Sequence, residues 1–231
     1  MKRQATSDYP SWQIFRPEQM PVTHWAGGST RQLAIAPPGS QVSAQDFHWR
    51  FSTATVLQDG AFTRFAGYQR LLAIRQGAGL LLQVGEQQMA LTAPNHSARF
   101  AGAMPTRATL LDGAVVDINL IFAPELNAHL TSHALPSQWQ PLADGTFAAM
   151  PSGGIVTLLI YADGGPLLLQ LAAPAEPPIR LATGELLQAI LPSQQLAQIC
   201  WCAEQSLAAA ANNTSVNSLS ATSAVLAWIL A

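Results

Sequence analysis

The chain is short of charge. Asp, Glu, Lys and Arg make up 10% of its 231 residues, against about 25% in a typical globular domain. Lysine occurs once, at Lys2, and no cluster of basic residues appears. A nucleic-acid binder needs a basic footprint, so that class is excluded, as is attraction to an acidic membrane surface. Cysteine is nearly missing too. Cys200 and Cys202 are the only two, and so close a pair on one strand face would make a strained bridge. Two reduced thiols are expected. The start, Met1 to Asp8, has no apolar core of a secretory signal. With no disulfide framework either, a cytoplasmic location is expected. The last apolar run, Ala224 to Ala231, is far shorter than the roughly 20 residues that span a bilayer.

Catalytic motifs are missing as well. The histidines are His24, His48, His96, His129 and His133, and none forms a His-x-His pair. Imidazole and carboxylate ligands together suit first-row metals, but His48-Trp49-Arg50 puts a cation where a second ligand would stand. His129 and His133 have helical i, i+4 spacing without a useful Glu between them. No metal and no other cofactor is expected. Gly-x-Ser-x-Gly does not occur. Ala26-Gly27-Gly28-Ser29-Thr30 lacks the Lys of a phosphate-binding loop and precedes a strand, so it reads as a tight turn.

What is present is apolar and punctuated. Hydrophobic residues make up 49% of the chain, and sixteen Gly and sixteen Pro cut it into short runs. Strands are expected at 33–36, 49–55, 70–74, 79–84, 109–111, 115–122, 155–162, 167–171, 185–190 and 196–202. Many short strands with turn signals between them indicate an all-β sandwich or barrel. Pro124 to Leu130 reads as one short helical turn with Pro at its first position. Residues 123–150, with Pro124, Pro136, Pro141 and Gly145, read as a crossover between an N-terminal half over 1–122 and a C-terminal half over 151–202. From 203 to 231 the composition becomes Ala-, Ser- and Asn-rich, and a loosely ordered tail or an Ala-rich helix is expected there.

Alternation along a strand singles out candidate site residues. It puts His48, Arg50, Ser52 and Ala54 on one face and Trp49, Phe51 and Thr53 on the other. Asp117 and Asn119 share a face opposite Ile118 and Leu120. An arginine, a hydroxyl, an amide and a carboxylate in one barrel mouth could hold a small carboxylate ligand. The same residues admit an Arg50–Asp117 ion pair that braces two strands, and both readings stand at this point. Phe62 and Phe65 read as core wedges, and Gly60 and Gly67 as turn glycines.

Several spaced segments resemble one family. They are Phe47-His48-Trp49-Arg50-x-Ser52-x-Ala54, Gly60-x-Phe62-Thr63-x-Phe65-x-Gly67-x-x-Arg70, Gly77-x-Gly79 and Asp117-x-Asn119-Leu120. Together they resemble the HutD/Ves family of bacterial cupin-fold proteins, some encoded alongside histidine-degradation enzymes. The resemblance covers residues 10–125 well and 150–202 in outline. It implies a bicupin, two β-barrel halves in one chain, without the metal ligands of other cupins. It also implies a pocket in the N-terminal half for a small acidic metabolite related to histidine degradation. The residues assigned to that pocket are Gly27, Gly28, Thr30, Arg50, Ser52, Arg70, Asp117 and Asn119. A small-molecule binder, with a regulatory role, is the leading expectation. A metal-independent isomerase or hydrolase is the alternative, with Asp117 or His48 as its titratable group. A homodimer is a further expectation. The family's Trp-basic-Asn stretch is altered here, where His24-Trp25-Ala26 precedes Gly27.

Overall fold

The computed structural model describes residues 11–93, 97–142, 154–170, 177–204 and 223–230. The strands of the first half are β1 (Ser11–Phe15), β2 (Val22–Trp25), β3 (Gly28–Ala36), β4 (Trp49–Val56), β5 (Gly60–Ala61), β6 (Gln69–Gln76) and β7 (Leu80–Val84). β8 (Gln87–Leu91), β9 (Ser97–Ala101), β10 (Thr106–Leu110), β11 (Val115–Phe122) and β12 (Asn127–Ala134) complete it. The second half holds β13 (Gln140–Pro141), β14 (Ile155–Ala162), β15 (Leu167–Gln170), β16 (Ile179–Leu181), β17 (Leu186–Pro192), β18 (Cys200–Ala203) and β19 (Ser223–Leu230). Short 3-10 turns at Pro17–Gln19 and Ser193–Gln198 are the helical elements of more than one residue among the described residues. The all-β expectation therefore holds.

The chain divides into two compact units, one built from Phe15–His133 with Val225–Ala227 and the other from the remaining described residues. In the first unit, six strands run in the order β2-β3-β4-β11-β6-β9 and four in the order β5-β10-β7-β8. Both orders are linear, so these are open sheets and not the closed barrels expected from the sequence. Their inner faces share one apolar cluster. Ala54, Val56, Leu72, Ile74, Ala98, Phe100 and Val115 come from the larger sheet, and Leu80, Leu82, Val84, Leu91 and Ala108 from the smaller. Burying each large aliphatic side chain contributes about 1.5–3 kcal/mol. In the second unit β14 pairs antiparallel with β17 from Ile155↔Pro192 to Tyr161↔Leu186, and β13-β18-β15-β16 form a second sheet. Cys200 and Cys202 on β18 are both free.

Two segments differ from the sequence-based expectation. Residues 127–134 form strand β12 and not a helical turn. Ala128 and Leu130 are buried while Asn127 is exposed, so a period of two overrides the Pro124 signal. The chain's end is not a tail outside the fold. β19 is strand, with Ala224 to Leu230 buried. A strand covered on both faces loses its alternation, which is why this run resembles none of the amphipathic patterns. The low-complexity stretch 205–222, His96 and Gly145 lie outside the described residues.

Two turn glycines hold the first unit's register. At Gly77 φ is +94°, and an added Cβ would lie 2.5 Å from the Ala114 carbonyl oxygen. Gly79, at φ +109°, meets the Leu91 carbonyl in the same way at 2.2 Å. Both need a left-handed backbone that only glycine adopts cheaply. Gly77→Ala should therefore lower stability by about 1–3 kcal/mol, read as a lower midpoint in urea denaturation. An unchanged midpoint would mean that the turn relaxes freely.

Candidate functional site

The inner face of the larger sheet changes character along its length. On β4 it reads Val56, Ala54, Ser52, Arg50, and on β11 the residues opposite are Val115, Asp117, Asn119 and Ile121. On β6, Ile74, Leu72 and Arg70 stand opposite Asp117, Asn119 and Ile121. The apolar part of the interior packs around Leu72, Ile74, Leu80, Leu82 and Val115. Elsewhere the same face turns polar and lines a cavity of about 670 Å³. Its apolar wall includes Val42, Phe62, Phe65 and Ala108, and its polar wall includes Thr30, Gln32, Arg50, Ser52, Arg70, Asp117 and Asn119. All belong to the first unit.

A directed chain of hydrogen bonds builds the polar wall. Arg70 Nε donates to Asn119 Oδ1 at 2.7 Å. A guanidinium only donates, so this bond fixes which way the Asn119 amide points. Asn119 Nδ2 then donates to Asp117 Oδ1 at 2.6 Å. Asp117 Oδ2 is buried without a hydrogen-bond partner among the described residues. The Arg70 guanidinium lies 4.3 Å from the centroid of the Phe62 ring and 5.7 Å from that of Phe100, a cation–π setting that suits a desolvated arginine. Arg50 Nε donates to Gln32 Oε1 at 3.0 Å.

Burial dominates the electrostatics. Loss of water pushes the Asp117 carboxyl up from 3.8 to about 7, against the opposing pull of Arg70, the Ala54 backbone, Arg75 and Asn119. Burial lowers Arg70 to about 10, which the Asp117 charge opposes and the Arg50 charge reinforces. Arg50 is lowered by burial. Asp117 is no part of that shift, and Arg50 bonds Gln32, so of the two sequence-based readings the Arg50–Asp117 brace is the one without support. The arginine coupled to Asp117 is Arg70, on the strand at the other side of β11.

Six of the eight residues expected in the pocket do line it together: Thr30, Arg50, Ser52, Arg70, Asp117 and Asn119. Gly27 and Gly28 do not. Gly27 lies in the β2–β3 turn beneath Trp25 and Gly28 opens β3. A Cβ on Gly27 would lie 2.3 Å from the Trp25 ring, and one on Gly28 would lie 1.9 Å from the Thr55 carbonyl oxygen. Their absence of side chain seats Trp25, whose Nε1 donates to Thr30 Oγ1 at 3.2 Å and whose ring lines the cavity. His48 is not a lining residue. Sequence reasoning missed Gln32, Trp25 and the cavity-facing role of Phe62. Gln32 was legible, because it alternates with Thr30 once β3 is extended back to Gly28. Among the described residues no three His, Cys, Asp or Glu side chains group as metal ligands.

The HutD family model matches residues 17–189. The chain belongs to the HutD family. An uncharacterized 21.2 kDa protein from the hutC 3′ region of Pseudomonas putida is 35% identical over 115 residues, 49% of this chain and 59% of that protein. The chain thus spans less than two thirds of that relative. Protein Ves of Citrobacter koseri is 30% identical over 152 residues, 64% of this chain and 72% of Ves. Among solved structures, a conserved Pseudomonas aeruginosa protein of unknown function superposes with a TM-score of 0.67 at 24% identity, covering 95% of this chain and 98% of that one. The fold of this HutD-family chain is cupin-like. No helix among the described residues is long and apolar enough to cross a membrane.

The raised Asp117 has a signed consequence. An acid whose folded value lies above its unfolded value binds its proton more tightly when folded. Its contribution to stability is present at low pH and is lost as pH rises from near 3.8 through about 7. Asp117→Asn cannot ionise. Its melting temperature relative to wild type should therefore rise by several degrees between pH 5 and pH 8, measured by differential scanning calorimetry. A constant difference between the two proteins would place the Asp117 pKa in the ordinary range.

Proposed function

We propose that this HutD-family chain binds a small acidic metabolite, one related to histidine degradation, in the cavity of its first unit. One observation carries this reading: two arginines, Arg70 buried and Arg50 partly buried, line a cavity of about 670 Å³ whose single other charged lining residue among those described is Asp117. A guanidinium in a water-poor pocket favours a carboxylate, which it can take bidentately. The volume falls in the range of small-molecule sites. The apolar wall would cover the ligand's carbon chain. The Pseudomonas putida relative is named for its place in the hutC 3′ region, which supports the metabolic context. We read the two units as the halves of a bicupin, with the ligand site in the first.

A second reading is a metal-independent enzyme, an isomerase or hydrolase acting on a polar metabolite. The Asp117 carboxyl near 7 favours it, because general acid–base catalysis works best with a group poised near the operating pH. Turnover of any bound acid would select this reading over simple binding.

A thermal-shift and calorimetric screen with histidine, urocanate, glutamate and formylglutamate tests the proposal. A specific ligand at 100 times its Kd adds about 2.7 kcal/mol of stability. Arg50→Ala should weaken binding by about 2–5 kcal/mol. Arg50→Lys should weaken it nearly as much, because lysine lacks the planar fork. Unchanged affinity in Arg50→Ala would remove Arg50 from the site.

A further inference from the structure

The polar wall contains more than an arginine clamp. Its charged lining residues are Arg50 on β4, Arg70 on β6 and Asp117 on β11. Arg75, also on β6, acts on Asp117 electrostatically, and its Nη1 donates to Thr53 Oγ1 at 2.8 Å. Among the described residues the other lining elements present no ionisable side chain toward Asp117: β2 gives Thr23 and Trp25, β3 gives Thr30 and Gln32, the 42–45 segment gives Val42, Ser43 and Gln45, β10 gives Ala108, and the 58–65 segment gives Gln58, Thr63 and aromatic rings. Asp117 is the internal counter-charge of Arg70, which it reaches through Asn119.

We propose that the site takes up a proton together with its anion. The ligand's carboxylate replaces Asp117 as the counter-charge of Arg70, and Asp117 becomes a neutral acid. This rests on the carboxylate-binding reading above. The reason is electrostatic: a new negative charge in a water-poor pocket cancels the positive field that kept Asp117 ionised. The proton comes from solvent. It settles on Oδ2, because Oδ1 already accepts from Asn119 and Oδ2 has no donor partner among the described residues. No bond between heavy atoms forms or breaks. With Asp117 near 7 in the free protein, the exchange falls in the neutral range, so affinity for an acid drops as pH rises.

The test is isothermal titration calorimetry of the full chain with formylglutamate and with glutarate. Neither acid titrates between about pH 6 and 8.5. Each titration is run in HEPES and in Tris, which differ in ionisation enthalpy. Expected is a buffer-dependent enthalpy equivalent to uptake of roughly half a proton at pH 7, and a Kd that weakens about tenfold from pH 6 to 8.5. In Asp117→Asn both dependences should vanish at whatever affinity that variant retains. The wild-type buffer comparison decides the matter even where that variant does not fold. Binding with equal enthalpies in both buffers and a flat pH profile overturns proton uptake and leaves the binding reading intact. Uptake that persists in Asp117→Asn overturns the assignment to Asp117. Binding of neither acid overturns both.

Discussion

The first unit is organised around one desolvated guanidinium. Arg70 sits inside a β-sandwich, where an uncompensated charge would cost several kcal/mol. Each neighbour answers that cost. Asn119 accepts from its Nε, Asp117 supplies the opposite charge, and Phe62 covers its face. Asn119 has its amide orientation fixed by Arg70 and therefore presents its Nδ2 to Asp117. Asp117 Oδ2 is left without a hydrogen-bond partner among the described residues. The polar cavity wall follows from the placement of Arg70.

The scaffold makes that placement possible by dividing one interior between two tasks. Around Leu72, Ile74, Val115, Leu80 and Leu82 the two sheets close on each other through aliphatic side chains. At the Arg50–Ile121–Arg70 end they stand apart and leave the cavity. The strands β4, β6 and β11 are continuous across both regions. The packed region thus fixes the register of the polar region, and a slip of one residue would turn Arg50, Asp117 and Asn119 to the opposite face. A site on rigid central strands holds its geometry better than one on loops. Tyr68 adds a further tie near the cavity. Its hydroxyl donates toward the Gln45 and Phe47 carbonyls, each at 2.7 Å.

Much of this was legible from alternation. The period of two on 49–55 and 115–122 placed Arg50, Ser52, Asp117 and Asn119 on shared faces, and the structure brings those faces together. Partner choice was not legible. Sequence gives the face of a side chain but not the neighbouring strand, so it left an Arg50–Asp117 pair open and did not single out Arg70 as the coupled residue. The glycines at 27 and 28 carry a turn signal that says nothing of direction. They support Trp25 from behind and do not line the cavity. β19 was hidden for a different reason: a strand buried on both faces has no polar alternation to display, and its neighbours in sequence are low in complexity.

The central claim is that the Arg50–Arg70 wall is where a carboxylate sits. A crystal structure of the chain soaked with formylglutamate tests it most directly. The account predicts ligand density in the first unit's cavity, with one carboxylate within hydrogen-bonding distance of both guanidinium groups and Arg70 still bonded to Asn119. Well-defined ligand density elsewhere on the chain, with water alone between Arg50 and Arg70, would contradict it.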